Sequence, residues 1–286
     1  MKGILIADAG STKTDWRLLL EGSKEHLEFK TLGINPLLNS PGEINSVLSE
    51  LKNYLPDNIK ITTIHFYGAG CSTSIQIELM TKLLADFWPD AQIFIYSDML
   101  ATGRALFGNK KGIACILGTG SNSCLMENGK IINQIPSLGF ILGDEGSGAA
   151  MGKRLLNSIF KRVLPYEIIV KFEEQYDLSL DELINKTYRG ERPSAFIASF
   201  STFIYENREH EAIQNLIREE FNNFFIRNIA SYEECRSMPL GFIGSIALNY
   251  KEILFETAKS LGFRINNIMH APMEGLHAYH LEEIYR

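Results

Sequence analysis

The sequence has few cysteines, and none of them lie in a metal-binding arrangement. Four cysteines are spread along 286 residues, and no two are separated by two residues as in zinc ribbons and fingers. Scattered cysteines also give little basis for disulfide bonds, so we expect reduced thiols and a cytoplasmic protein. Zinc ribbons and zinc fingers are therefore not expected.

Long apolar runs and long charged runs are also missing. No apolar run approaches the ~18 residues that span a bilayer, and Asp8 interrupts the apolar N-terminus, so we expect no signal peptide and no membrane partner. The formal net charge is −6, and no run of like charge reaches five residues. A nucleic-acid partner bound through a basic field is therefore not expected.

A short apolar strand that ends in an aspartate and a glycine turn opens the chain. Residues 4–7 read as a buried strand, Asp8 follows, and the turn at 10–14 carries glycine, hydroxyls and a lysine. The apolar pattern resumes at 16–20, which predicts a β-hairpin. Glycine-turn N–H groups approach phosphate closely, and a carboxylate suits Mg²⁺. An ordinary hairpin with polar turn residues is the alternative.

A second copy of this motif begins at Ile113. An apolar run at 113–117 ends in Gly118-Thr119-Gly120-Ser121-Asn122, and a strand-like segment follows at 123–126. Two such hairpins are expected to bind one polyphosphate from both sides. The repetition therefore predicts a duplicated architecture with a cleft between its halves.

The order of predicted elements repeats as well. Each half is predicted as β-β-β-α-β-α-β-α, with extra helices inserted after the third strand of the second half. We expect an α/β fold of two domains, residues 1–107 and 108–273, with the helical insertion at about 150–235. The C-terminal helix, about 274–286, is a candidate to pack back on the first domain, and the insertion is a candidate surface for a homodimer.

Asp98 is the candidate for acid–base chemistry. It follows a predicted strand at 91–96, and either Ser97 or Asp98 is expected to cap the next helix. A carboxylate placed at the end of a buried strand can take the proton of a hydroxyl that attacks a phosphoryl group. By position alone, the helix cap and the catalytic base are equally good interpretations.

Three motifs occur in order along the chain: Asp8-x-Gly10-x-Thr12-Lys13-Thr14, Gly118-Thr119-Gly120-Ser121-Asn122 and Gly143-Asp144-Glu145-Gly146-Ser147, with Asp98 between the first two. Together they resemble the motifs of the N-acetylglucosamine kinase and BadF/BadG/BcrA/BcrD ATPase family of the actin and sugar-kinase superfold. The resemblance covers essentially the whole chain and implies two actin-like ATPase (ribonuclease H-like) domains. It also implies an ATP-dependent kinase for an amino sugar, foremost N-acetylglucosamine, which would become its 6-phosphate.

The resemblance implies roles for individual residues. Asp98 would be the general base, and Asp8 would lie near Mg²⁺. The implied ATP-binding residues are Asp8, Gly10, Ser11, Thr12, Lys13, Thr14, Gly118, Thr119, Gly120, Gly244, Ser245 and Gly275. The implied sugar-binding residues are Asn35, Asp98, Ser121, Asn122, Gly139 and Asp144. Without the resemblance, Asp144 is explained as a helix-capping residue, Asn35 as a turn residue and Gly244 as a strand-to-helix turn.

One departure from the family pattern leaves the acceptor sugar open. Residues 137–142 read Ser-Leu-Gly-Phe-Ile-Leu where the family has a Gly-Gly-Trp-Gly-His-like run. Two other functions also stay open. A BadF-type activator would use ATP to drive electron transfer from an iron–sulfur cluster, and Cys115 lies near the cysteine of such proteins. A non-catalytic ATP- or sugar-binding regulator would not need Asp98 as a base.

Overall fold

The computed structural model describes residues 1–23 and 25–284 and divides the chain into two units. Unit 1 comprises Met1–Gly108 together with the C-terminal segment that begins at Ala271, and unit 2 comprises Asn109–His270. Within the described residues, no helix combines the length and the apolar character that a bilayer crossing requires.

Unit 1 begins with three strands and continues with alternating helices and strands. Its elements are β1 (Lys2–Ala9), β2 (Lys13–Leu20), β3 (His26–Leu32), α1 (Pro41–Tyr54), β4 (Lys60–Gly68), α2 (Ser74–Phe87), β5 (Gln92–Ser97) and α3 (Asp98–Phe107).

Unit 2 repeats this order and adds helices after its third strand. Its elements are β6 (Gly112–Leu117), β7 (Ser121–Glu127), β8 (Lys130–Ile135), α4 (Gly139–Leu142), α5 (Gly148–Phe160), α6 (Tyr166–Gln175), α7 (Leu180–Arg189), α8 (Pro193–Ser199), α9 (Ser201–Glu206), α10 (Glu211–Phe224), a π-helix (Phe225–Ile229), β9 (Leu240–Ile243), α11 (Ser245–Asn249), α12 (Lys251–Ser260) and β10 (Ile265–Met269). The chain then returns to unit 1 with α13 (Met273–Ile284).

The two sheets have the same topology. Unit 1 has the order β3-β2-β1-β4-β5, and unit 2 has the order β8-β7-β6-β9-β10. In each sheet the first three strands pair antiparallel, and the last two are added in parallel. The α/β fold of two similar halves that the sequence predicts is therefore confirmed.

Alternation along β1 assigns its side chains to two cores. Leu5, Ala7 and Ala9 join the apolar cluster formed with α1 and α2. Ile6 joins the cluster on the opposite face, which contains residues of α3 and α13. Successive strand residues point to opposite faces, so Asp8 lies on the same face as Ile6. This register directs a carboxylate at the end of β1 toward the side on which α3 begins.

The core of unit 2 is dominated by the inserted helices. Side chains of β6 pack with fully buried aromatic residues of α6, α9 and α10 in one continuous apolar cluster. The first long helix of this region is α5. It ends at Phe160, and Arg162 adopts a left-handed conformation with φ of 56° before Pro165. The short helix α4 lies in a segment for which the sequence predicts only a glycine-rich motif.

Candidate functional site

The first glycine turn is tightly built. The Gly10 N–H donates to the Lys13 carbonyl at 2.9 Å, and the Gly33 N–H donates to the Thr12 carbonyl at 3.0 Å. Thr12 and Lys13 are exposed, while Gly10 and Ser11 are half-buried. Polar groups of the turn therefore remain accessible to a ligand.

Asp8 lies at the end of β1 beside two other carboxylates. It is paired across the hairpin with Asp15, and Lys13 Nζ contacts Asp15 Oδ2 at 2.7 Å. Burial, followed by the charges of Asp15 and Asp98, raises the pKa of Asp8 to about 7. Within the part of the chain that the structure describes, the Asp8 side chain forms no hydrogen bond or ion pair. A half-buried carboxylate without a partner fits a hard cation such as Mg²⁺.

Asp98 is the first residue of α3, and another residue caps the helix. The Ser97 hydroxyl accepts the Leu100 N–H at 3.2 Å, which is the N-cap interaction. The Asp98 Oδ1 atom accepts the Met99 N–H at 2.8 Å. Burial raises the pKa of Asp98 and outweighs the backbone hydrogen bonds that lower it. The capping role is thus filled by Ser97, which leaves Asp98 without that explanation.

Asn35 lies in the loop after β3 and connects two turns of unit 1. Its Nδ2 donates to Ser11 Oγ at 2.8 Å, and its Oδ1 accepts the Leu37 N–H at 3.0 Å. A side chain at Gly70 would overlap Asn35 Oδ1, so the turn at 68–71 also lies against this amide. A primary amide has two donors and four hydrogen-bonding sites. Asn35 therefore keeps unused capacity for a ligand while it is held in place.

The second glycine turn is used partly to begin a helix. The Gly118 and Thr119 carbonyls accept the N–H groups of Gly148 and Ala149 at 2.8 and 3.0 Å, at the start of α5. The Gly118 N–H donates to the Gly120 carbonyl at 3.0 Å, and Thr119 is exposed. This turn therefore joins β6 and β7 and also positions the N-terminus of α5.

Asp144 is brought against this second turn. It has a left-handed backbone with φ of 56°, and its Oδ1 accepts the Ser121 N–H at 3.3 Å. Its carboxylate also lies next to the α-carbon of Gly120. Burial raises the pKa of Asp144, and the Ser121 N–H opposes that shift. Ser147, not Asp144, caps α5 through its hydroxyl and the Ala150 N–H at 3.1 Å.

The remaining candidates of unit 2 lie around the same turns. Gly244 has φ of 126°, and a side chain there would overlap the Leu117 carbonyl, so the turn after β9 packs on the end of β6. Ser245 follows and is exposed. Asn122 Oδ1 accepts from Gln134 Nε2 at 3.1 Å. Gly139 is exposed and opens α4, with φ of 70°.

Two candidate residues have structural explanations in unit 1. Thr14 is fully buried, and its hydroxyl accepts the Ile34 N–H at 3.2 Å. The side chain therefore faces the interior and holds the Asn35 loop, which gives Thr14 a structural role, and its contact with ATP stays a prediction. A side chain at Gly275 would overlap the backbone of Ala105, so close packing of α13 on α3 explains that glycine.

The structure adds Asp15, which the motif-based reasoning passes over. The hairpin register places it directly opposite Asp8, and directly opposed side chains lie on one face. Pairing the strand residues outward from the turn at 10–13 would have predicted the Asp8–Asp15 pair from the sequence alone. Among the described residues, the four cysteines are all buried and none forms a disulfide bond, and Cys115 has no exposure.

Comparison with solved structures gives one clear relative and several structures that share the fold. A candidate N-acetylglucosamine kinase from Porphyromonas gingivalis is 37% identical, with a TM-score of 0.88 and coverage of 98% of this chain and 99% of that chain. A candidate N-acetylglucosamine kinase from Chromobacterium violaceum is 16% identical, with a TM-score of 0.72 and the same coverage of both chains.

A ROK hexokinase from Thermus thermophilus matches at 13% identity and a TM-score of 0.55, over 98% of this chain and 99% of that chain. At 16% and 13% identity, the Chromobacterium violaceum and Thermus thermophilus structures show only that the fold is shared. No protein-family model matches the chain, and no curated protein matches it.

Proposed function

The chain belongs to the N-acetylglucosamine kinase family of the actin and sugar-kinase superfold, and from this premise we propose that it phosphorylates N-acetylglucosamine. The reaction would transfer the γ-phosphoryl group of ATP to the 6-hydroxyl of the sugar. The 37% identity over nearly the whole of both chains supports the kinase class. The acceptor sugar, the site residues, a cytoplasmic location and a homodimer are parts of the proposal.

The observation that carries the proposal is the environment of Asp98. Its side chain is half-buried, burial raises its pKa, and Ser97 performs the capping that would otherwise explain it. The charge of Asp98 also contributes to the raised pKa of Asp8, so the two carboxylates are neighbours. A general base works best when its pKa approaches the working pH.

In the proposed step, Asp98 accepts the proton of the sugar hydroxyl. The hydroxyl oxygen forms a bond to the γ-phosphorus, the bond from that phosphorus to the bridging oxygen breaks, and ADP leaves with its electron pair. Bound Mg²⁺ would neutralise charge on the phosphate oxygens, and Asp8 is the residue proposed to hold it. N–H and hydroxyl groups at 10–12 and 118–120 are proposed to bind the phosphates.

We assign sugar recognition to polar side chains that hydrogen bonds within the protein already hold in place. Asn35 is fixed by Ser11 and by its own loop, and Asp144 is fixed by the Ser121 N–H. Side chains that are already held lose little freedom on binding, which improves affinity and orientation. Ser121 is buried, so we propose that it acts mainly through Asp144.

The activator alternative is disfavoured by the position of Cys115. This thiol has no exposure, and burial raises its pKa well above the usual value. Cluster ligation requires a thiolate that reaches the iron. A colourless, air-stable protein would agree with this reasoning, whereas a brown and air-sensitive one would restore the alternative.

The direct test is a panel of acceptor sugars with Mg-ATP. N-acetylglucosamine, glucosamine, N-acetylmannosamine and glucose are compared, and the sugar phosphate and ADP formed are both measured. We expect N-acetylglucosamine to give the highest kcat/KM and a phosphate on the 6-hydroxyl by NMR. Release of ADP without any sugar phosphate would contradict the proposal.

A further inference from the structure

The turn that carries Asp144 is braced by the inserted helices, and we propose that Glu220 and Asn228 are positioning residues for sugar recognition. Glu220 lies on α10, and Asn228 lies on the π-helix that follows it. This inference rests on the proposed sugar-binding role of Asp144. It concerns side chains that do not belong to any of the family motifs.

The backbone of the turn requires support. Asp144 and Gly146 both adopt left-handed conformations, with φ of 56° and 74°. Such a conformation is disfavoured for a residue with a side chain, so surrounding contacts must stabilise it. Within the turn, the Asp144 N–H donates to the Ser137 carbonyl and the Ser147 N–H donates to the Asp144 carbonyl, each at 3.1 Å.

Glu220 supplies support from α10. It is buried on a helix face that is otherwise apolar, between Ile217 and Phe221. Its Oε2 accepts the Gly146 N–H at 3.5 Å, and its Oε1 accepts from Arg154 Nε at 2.7 Å. A buried carboxylate is costly unless it is hydrogen-bonded, so a purely apolar core would not favour glutamate here.

Asn228 supplies support from the π-helix. Phe225, three residues earlier, and Ile229, directly after, are fully buried in the core, and Asn228 itself is buried. Its Nδ2 donates to Glu145 Oε2 at 3.3 Å, and Glu145 immediately follows Asp144. A π-helix widens one turn and changes the direction of the side chains, and such turns are frequent at functional sites. Here the irregular turn places an amide beside the Asp144 loop.

Asn228 and Glu220 form hydrogen bonds to the two consecutive residues after Asp144, Glu145 and Gly146. Loss of either should let the 144–146 turn relax toward more common backbone angles and misdirect the Asp144 carboxylate. The ATP-binding groups of unit 1 would be unaffected. The expected signature is a raised KM for sugar, with little change in kcat.

The chain provides a matched control for Glu220. Glu219 is exposed and pairs with the same arginine, Arg154, and among the described residues it forms no hydrogen bond to the turn. We expect Glu220→Gln to raise the KM for sugar about tenfold, the effect of one charge-assisted hydrogen bond. Glu219→Gln should stay within twofold of the wild type. An unchanged KM in E220Q, or an equal rise in both variants, would overturn the proposal.

Asn228→Leu is the second variant, and it keeps the proposal testable if E220Q does not fold. Leucine preserves the apolar packing but removes the hydrogen bond to Glu145, so the KM for sugar should rise at least threefold while kcat is retained. A KM equal to that of the wild type would count against Asn228.

Hydrogen exchange of the ligand-free protein separates this inference from the proposed function. Amides of residues 143–149 should exchange faster in E220Q than in the wild type and E219Q, because their turn has lost its support. If the wild type phosphorylates no sugar, the proposed function fails, and the exchange rates still decide whether Glu220 holds the turn. Identical exchange in the three proteins would overturn the inference.

Discussion

The two units share one sheet topology but carry different chemistry at equivalent positions. In the first hairpin of each unit, we compare the second residue pair counted from the turn. This pair is Asp8 and Asp15 in unit 1, and Ile116 and Asn122 in unit 2. The residue directly after the fifth strand of the sheet is Asp98 in unit 1 and His270 in unit 2. Duplication therefore repeats the scaffold, while the strand-end carboxylates occur in unit 1.

The loop after the third strand, in contrast, carries a buried polar side chain in both units. In unit 1 this loop carries Asn35, and in unit 2 it leads into α4 and the turn of Asp144. Both side chains are buried, and each is hydrogen-bonded to the glycine turn or strand start of its own unit. Under the proposed function, Asn35 and Asp144 are the sugar-recognition residues of these two loops, and Asp98 is the general base.

The largest expected effect tests this asymmetry directly. Asp98→Asn should lower kcat by roughly 10²–10⁴, because it removes the general base while keeping the shape of the side chain. His270→Asn at the equivalent strand end of unit 2 is the matched control and should leave kcat within twofold. Steady-state rates of sugar-phosphate formation measure both variants. Comparable losses in the two would show that the units contribute equally, contrary to the proposal.

A smaller effect distinguishes the two third-strand loops. Asp144→Asn and Asn35→Ala should each raise the KM for sugar about 10–100-fold, the loss of one or two hydrogen bonds to a ligand. Asn35→Ala should also raise the KM for ATP, because Asn35 holds Ser11 in the first glycine turn. Asn133→Ala, in an exposed position of β8, is the control. Unchanged sugar KM values would remove both residues from the proposed site.

Much of the fold could be predicted from the sequence because it depends on local patterns. The three-strand starts of the two halves, the glycine turns and the periodic helices are all visible as apolar repeats. The hairpin also determines the pairing of Asp8 with Asp15, although only Asp8 stands out as part of a motif. Ser97 and Asp98 are both good capping residues, and only the hydrogen bond to Leu100 decides between them.

The braces of the Asp144 turn could not be predicted in the same way. Glu220 interrupts an apolar helical stripe and Asn228 interrupts another, so each is visible as an irregularity of its helix. Their partners are 74 and 83 residues away along the chain. The conversion of one helical turn to a π-helix also has no clear signal in the sequence, and it determines where Asn228 points.

The raised pKa of Asp8 predicts a stability effect in unit 1. Because the folded protein binds this proton up to about pH 7, whereas the usual pKa is 3.8, stability should fall as the pH rises between these values. Asp8→Asn removes this penalty and should stabilise the protein at pH 8 by up to about 4 kcal/mol, with little gain at pH 4. Denaturant unfolding with a metal chelator present measures the difference. A gain that does not depend on pH would contradict the assigned pKa.

The smallest expected structural effect comes from the second glycine turn. A side chain at Gly118 would meet no atom within 4 Å, and its φ is not left-handed, so Gly118→Ala should change the free energy of unfolding by less than about 0.5 kcal/mol. Gly244→Ala is the contrasting control, since φ of 126° and the Leu117 carbonyl both oppose a side chain there.

If the open space at Gly118 is kept for the approach of phosphate, the Gly118→Ala variant should bind ATP several-fold more weakly at unchanged stability. Calorimetric titration with Mg-ATP tests this, and wild-type affinity in Gly118→Ala would mean that the turn of unit 2 exists to start α5 and not to bind nucleotide.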